Sequence, residues 1–170
     1  MLRALFLMFL ALSLISCATT PRSVQIGSVF DPAEAAFINQ TGSARISGQA
    51  FLMTRGGDVK YASGNSVYLI PVTRYSTERF EAIYGLSDCT VQNVNVGTTD
   101  PKYMKMMRHT QADGQGRFSF DSLAAGEYFV TTHVMWEAPS GSGLTPQGCS
   151  LKKRATVGNG QELDIVLTSR

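Results

Sequence analysis

Asp113-Gly114-Gln115-Gly116-Arg117-Phe118-Ser119-Phe120-Asp121-Ser122-Leu123-Ala124-Ala125-Gly126-Glu127-Tyr128 is the run of residues from which the fold class follows. The first four form a tight turn, because an aspartate followed by two glycines lets the chain reverse where larger side chains would clash. Phe118 and Phe120 stand two apart, so on an extended strand they point to one face. Leu123 plugs the end of that face. Ala124-Ala125-Gly126 turns the chain again, and Tyr128 and Val130 re-enter the same core with the same period of two. Turn, strand, turn, strand in so short a space is the pattern of packed antiparallel β-structure.

Upstream, Ala44, Ile46, Gly48, Ala50 and Leu52 alternate with Arg45, Ser47, Gln49, Phe51 and Met53, which predicts a strand. Arg55-Gly56-Gly57-Asp58 predicts a turn, residues 59–62 a short return strand, and Ser63-Gly64-Asn65 its end. Residues 66–73 are apolar on both faces, as in a strand inside a sandwich. Pro71 within them implies that one edge lacks a partner there. Downstream, 127–137 is the longest predicted strand and 139–148 a Gly/Ser/Pro loop. Residues 151–157 and 161–168 read as a closing hairpin around Gly158-Asn159-Gly160, with Leu163, Ile165 and Leu167 inward.

Short helices interrupt this pattern. Asp31-Pro32-Ala33-Glu34 offers a cap, a proline at the first helical position and an acid where a capping box places one. It should press Phe37 and Ile38 on the domain. Residues 76–84 predict a second helix with Phe80 and Ile83 on one side; 85–100 is long and polar, and the latter half of 104–112 is a strand. The chain has 170 residues, 16% of them charged, and 16 glycines, which suits one domain of short strands and many turns. The expectation is an all-β fold, an antiparallel seven-stranded β-sandwich with one or two short helices.

The D-x-x-G turn, the Phe118-Ser119-Phe120 strand, Leu123 and the Ala125-Gly126-Glu127-Tyr128 step resemble the signature of carboxypeptidase regulatory-like domains. Ile46-Ser47-Gly48-Gln49-Ala50 and Val67-Tyr68-Leu69 resemble that family's first strands more weakly. The resemblance covers residues 43–168 and implies the transthyretin (prealbumin-like) sandwich. It says more about fold than function, since such sandwiches serve as add-on domains, adhesin stalks and transporter appendages.

At the other end, Arg3 precedes an apolar run, residues 4–15, broken only by Ser13. The run is short for a bilayer span and fits a signal peptide. Its final Leu14-Ile15-Ser16-Cys17 resembles the lipobox of bacterial lipoproteins. That resemblance implies a signal peptide over residues 1–16, lipidation of Cys17, and residues 17–42 as a lipidated tether with a short helix. A plain secretory signal with a chance cysteine is the competing reading. By resemblance to Gram-negative lipoproteins, Ala18 rather than aspartate implies transfer to the outer membrane, facing the periplasm of the bacterial cell envelope. The partners implied are a membrane, through the lipid anchor, and an envelope protein. Outside the cytosol the remaining pair, Cys89 and Cys149, is most simply a disulfide. Both lie in turn-rich stretches, so the bridge would tie two long loops; reactive thiols or metal ligands are the alternative.

Catalytic signatures are scarce. No G-x-S-x-G elbow is present, and the two histidines, His109 and His133, are not closely spaced. The Y-R-G-S ending of transthyretin-related hydroxyisourate hydrolases is absent, as is the close histidine pair of intradiol dioxygenases. Lys152-Lys153-Arg154 is the one basic cluster, and a net charge of +2 gives no reason to expect nucleic acid. Five tyrosines (61, 68, 75, 84 and 103) serve as packing or as an aromatic binding surface. Met104, Met106, Met107 and Met135 read as packing rather than a copper(I) site. The expectation is a non-catalytic envelope lipoprotein, with no metal or cofactor, acting as a protein-interaction or structural module. The alternative is a binder of carbohydrate or another small ligand through loops 85–100 and 139–148. A divergent enzyme would need His109 and His133 in one pocket.

Overall fold

The computed structural model describes residues 22–91, 94–141 and 143–169. The signal peptide expected over 1–16 and the lipidation site Cys17 lie outside these residues. Two sheets face each other. In one, β1 (Ala44–Met53) pairs antiparallel with β2 (Val59–Tyr61) and β6 (Arg117–Leu123), and parallel with β9 (Glu162–Leu167). The other has the order β4 (Cys89–Thr90), β8 (Gly143–Val157), β7 (Gly126–Ser140), β3 (Ser66–Pro71), β5 (Arg108–Gln111), antiparallel throughout. The all-β sandwich is therefore the fold. It has nine strands among the described residues rather than seven: β2 is the short return strand expected over 59–62, whereas β4 is only two residues long, too short to show an alternation.

The residues that announced the fold fill its centre. Ile46, Val67, Phe118, Phe120, Tyr128 and Val130 are all buried between the sheets. Asp113 Oδ1 accepts from the amides of Gln115 and Arg117. Gly116, at φ 73°, brings its Cα so close to Ala50 that a Cβ would lie 2.3 Å from the Ala50 carbonyl oxygen. Leu123 would point away from Phe118 and Phe120 on a regular strand. It is buried with them because the register slips between Ala44↔Leu123 and Ile46↔Phe120, with Ser122 at φ 57°. That extra residue is a β-bulge, which returns Leu123 to the inner face. Pro71 pairs with Tyr128 on β7 while β5 pairing stops at Leu69, so its missing donor faces an open edge as expected.

Two expected connections are different. Residues 139–148 are not a loop: β7 and β8 run in register from Gly126↔Val157 to Ser140↔Gly143. Beyond β3 and β4 this pair is a two-stranded ribbon, whose outward edges tolerate Pro139 and Pro146. Nor do 151–157 and 161–168 form a hairpin. β8 already has β7 and β4 as neighbours, so the chain crosses at Gly158-Asn159-Gly160 to the other sheet. There β9 satisfies β1 and buries Ile165 and Leu167.

The outer face of the five-stranded sheet carries a third layer. Helix α1 (Pro32–Ala35) continues as a 3-10 turn, Ala36–Asn39, and is followed by α2 (Arg74–Tyr84) and α3 (Pro101–Lys105). Three short helices thus replace the expected one or two; α3, capped by Asp100, is five residues long and too brief for a hydrophobic period. Phe30, Tyr75, Phe80, Tyr84, Tyr103 and Phe129 form a second core beneath this layer. The Phe80 and Phe129 rings are stacked 4.2 Å apart. Asp31 caps α1 as expected, but the capping box belongs to Thr73 and Ser76, while Glu34 reaches Arg74. Residues 22–28 are not a free tether. Ser23 bridges Asn95, and Glu78 accepts from the amides of Gly27 at 2.6 Å and Ser28 at 2.9 Å.

Candidate functional site

The ribbon that replaces the expected loop builds one wall of a cleft. Gly148 sits where β8 leaves its β4 neighbour; its φ is 111°, and a Cβ there would lie 2.0 Å from the Val134 carbonyl oxygen. Only glycine fits such an approach. One register pair further out, Trp136 faces Gln147 across the ribbon. The tryptophan is half-buried, packed against the main core on one side. The β1–β2 turn forms the opposite wall. Its shape is fixed from within: Thr54 N donates to the Asp58 carbonyl, Gly57 N to the Thr54 carbonyl, and Asp58 N to Thr54 Oγ1.

Between the walls lies a cleft of about 820 Å³. Trp136, Met53 and Pro139 supply its apolar surface, and Met53 is 63% exposed. Arg55, Asp58, Lys60, Glu137 and Gln147 supply the polar rim. Two cations, two carboxylates and an amide make the rim close to neutral but rich in donors and acceptors. An aromatic face flanked by a few convergent polar groups is the usual chemistry of a small-ligand pocket. The planar guanidinium, carboxylate and amide groups suit paired hydroxyls, each offering two sites in one plane.

The other candidate residues fall elsewhere. Cys89 and Cys149 form a disulfide with Cα atoms 5.7 Å apart. It joins two strands rather than two long loops, since Cys89 pairs with Leu151 across β4 and β8, and Cys149 is buried. His109 and His133 both lie on the outer face of the five-stranded sheet, exposed, with β3 between their strands. They do not share a pocket, and His109 packs against Tyr68. Among the described residues no group of three or more His, Cys, Asp or Glu side chains converges as a metal site would require.

The five tyrosines divide. Tyr75, Tyr84 and Tyr103 are buried in the second core, where burial pushes the Tyr103 phenol up to about 12. Tyr61 and Tyr68 stay partly exposed, on different sheets. The basic cluster is structural: Lys152 Nζ lies 5.2 Å from the Tyr84 ring centre, and Arg154 pairs with Glu127 at 2.6 Å. Met106 and Met107 pack against the second core, while Met104 and Met135 are exposed. Of the two expected binding loops, 85–100 is a connection carrying β4, and 139–148 is the ribbon. The cleft residues Arg55, Asp58 and Lys60 were read only as a turn and a return strand. The lone tryptophan was the available signal, and it had no visible partner because the ribbon's extent was not legible.

No family model matches the chain, and no curated protein matches it. Among solved structures, it is similar to a Pseudomonas aeruginosa protein provisionally described as a carbohydrate binding protein. The two share 26% identity with a TM-score of 0.72, over 83% of this chain and 98% of that one. A 9R-lipoxygenase from Cyanothece matches at 13% identity and TM-score 0.30, over 83% of this chain and 17% of that one. Catechol 1,2-dioxygenase from Pseudomonas arvilla matches at 11% and 0.26, over 89% and 59%. Neither of these two resembles the chain closely enough to bear on its chemistry.

Proposed function

We propose that this chain is a lipid-anchored, non-catalytic protein of the bacterial cell envelope that binds carbohydrate in the Trp136 cleft. The observation that carries the reading is the cleft itself, with an indole in one wall and guanidinium, carboxylate and amide groups beside it. Sugars present an apolar face of C–H groups that stacks on an aromatic ring, and a rim of hydroxyls that needs planar donors and acceptors. The similar Pseudomonas aeruginosa structure, provisionally described as carbohydrate binding, supports the same choice. The likeness of residues 113–128 to carboxypeptidase regulatory-like domains agrees with an accessory rather than catalytic role. Envelope placement rests on the lipobox-like Leu14-Ile15-Ser16-Cys17; the outer membrane is the expected destination.

The single tryptophan is its own reporter. Titration with a panel of oligosaccharides should change Trp136 emission and raise the melting temperature for at least one of them. Trp136→Ala and Arg55→Ala should each lose that thermal shift while keeping a cooperative unfolding transition. A panel without any shift, or a shift that survives Trp136→Ala, overturns the assignment. Intact-mass measurement of membrane-extracted protein tests the anchor, which requires a chain beginning at an acylated Cys17.

A second reading, docking of an envelope protein, draws on the ribbon. Beyond its neighbours the ribbon has two open edges, and it exposes Met135 at 52% and Leu144 at 65%. Crosslinking in intact cells should then capture one partner through residues of the ribbon, and capture should fail when Leu144 is replaced by aspartate.

A further inference from the structure

We propose that the stretch from the end of α2 to just past β4 rests on the membrane surface to which the Cys17 lipid holds the chain, with Leu86 and Val91 entering the headgroup region. The inference rests on the lipid anchor proposed above and adds the face that meets the bilayer.

The argument starts from chain length. A free tether from residue 17 to the first strand at residue 44 would span roughly 90 Å when extended, enough to let the domain tumble away from the surface. The structure shortens it. Asn95 N donates to the Arg22 carbonyl at 2.9 Å and Val24 N donates to the Asn95 carbonyl at 2.9 Å. Glu78 then holds Gly27 and Ser28, and Phe30 is buried against Tyr75 and Tyr103. The chain is therefore fixed to the domain from Arg22 onward. Four residues, 18–21, lie between Cys17 and Arg22, a span of about 18 Å at most.

Among mixed polar and apolar neighbours of Arg22, two aliphatic side chains stand uncovered. Arg22 shares a groove with Ile83, Ser87 and Val91. Val91 is 80% exposed, and Leu86, next to Ser87, is fully exposed at 107%. The backbone that presents them is held: Gly85 N donates to the Glu81 carbonyl, Ser87 N to the Tyr84 carbonyl, and Lys152 N to the Asp88 carbonyl. The disulfide at Cys89 pins the far side to β8. A rigid turn that displays aliphatic side chains beside the anchor point fits a lipid surface, where they lose water without needing a shaped partner. The charged groups of this face are Arg22 and Lys152 against Glu81 and Asp88, so the contact is governed by the apolar residues and not by anionic lipid.

The test uses the full lipidated chain in phosphatidylethanolamine/phosphatidylglycerol vesicles that carry brominated acyl chains. In a Trp136→Phe background, Leu86→Trp places the one indole on the proposed face. Val166→Trp places it on the outer face of β9, across the sandwich. Leu86→Trp emission should fall at least twofold relative to unbrominated vesicles, and Val166→Trp emission should stay unchanged. The twofold loss should be the same at 50 mM and 500 mM salt. Vesicle flotation is scored alongside. Protein that floats while Leu86→Trp is unquenched, or while both positions are quenched alike, overturns the docking face and leaves the anchor standing. Protein that does not float overturns the anchor and this inference with it.

Discussion

Single residues hold the turns on which both sheets depend. Asp113 accepts amide hydrogens from Arg117 and Gln115, and these bonds hold its carboxyl below the ordinary aspartate range. A carboxyl whose folded pKa is lowered contributes stability above its unfolded pKa, about 3.9. That contribution drains away as the pH falls through the folded value. Urea midpoints measured from pH 7 down to pH 3 should therefore fall less steeply for Asp113→Asn, which keeps an acceptor but has no charge to lose. Gly148 is constrained by shape instead. Gly148→Ala forces a Cβ against the Val134 carbonyl oxygen at a left-handed φ, and should cost at least about 2 kcal/mol in chemical denaturation. The expected loss is larger than any gain from restricting the unfolded chain.

The elements show which parts of the fold could be read from the residues. Strands β1, β3, β6 and β7 were legible, because their inward residues recur every second position and glycine turns bound them. Leu123 was placed correctly in the core, although the Ser122 bulge that allows this has no sequence marker of its own. The partner of β9 was not legible, since Gly158-Asn159-Gly160 permits a hairpin and a crossing equally well. Only the open edge of β1 decides between them. The cleft was not legible: Trp136 was read only as part of the strand over 127–137, and the opposite wall comes from a turn more than seventy residues earlier. Helix α2 was seen as amphipathic, and its hold on the sheet is now specific. Phe80 is 6% exposed and stacked on Phe129, so Phe80→Ala should cost about 3 kcal/mol. Amide exchange should locate that loss first in 74–84 and in the 22–30 segment that α2 holds.

The whole molecule is three layers rather than two: a four-stranded sheet, a five-stranded sheet, and a cover of short helices and N-terminal chain. The Cys89–Cys149 bridge spans 60 residues and joins the cover's exit loop to β8. In the chain-entropy description, closing a loop of that size is worth about 4 kcal/mol. Cys89→Ala/Cys149→Ala should lower the guanidinium midpoint by an amount approaching that figure, and a reducing agent should have no further effect on the double variant. Emission from Trp136 should report the same transition as far-ultraviolet dichroism, because the indole packs against the main core.

The parallel pairing of β1 with β9 has a consequence for biosynthesis. Ser47 and Asp164 are hydrogen-bonded neighbours separated by 117 positions. A nascent chain leaving the ribosome thus keeps one flank of its first long strand open until β9 has been made. Contacts so distant in sequence delay folding. With the envelope placement proposed above, such a delay would keep the chain open for threading through a translocation pore, since β9 must emerge before β1 is locked in place.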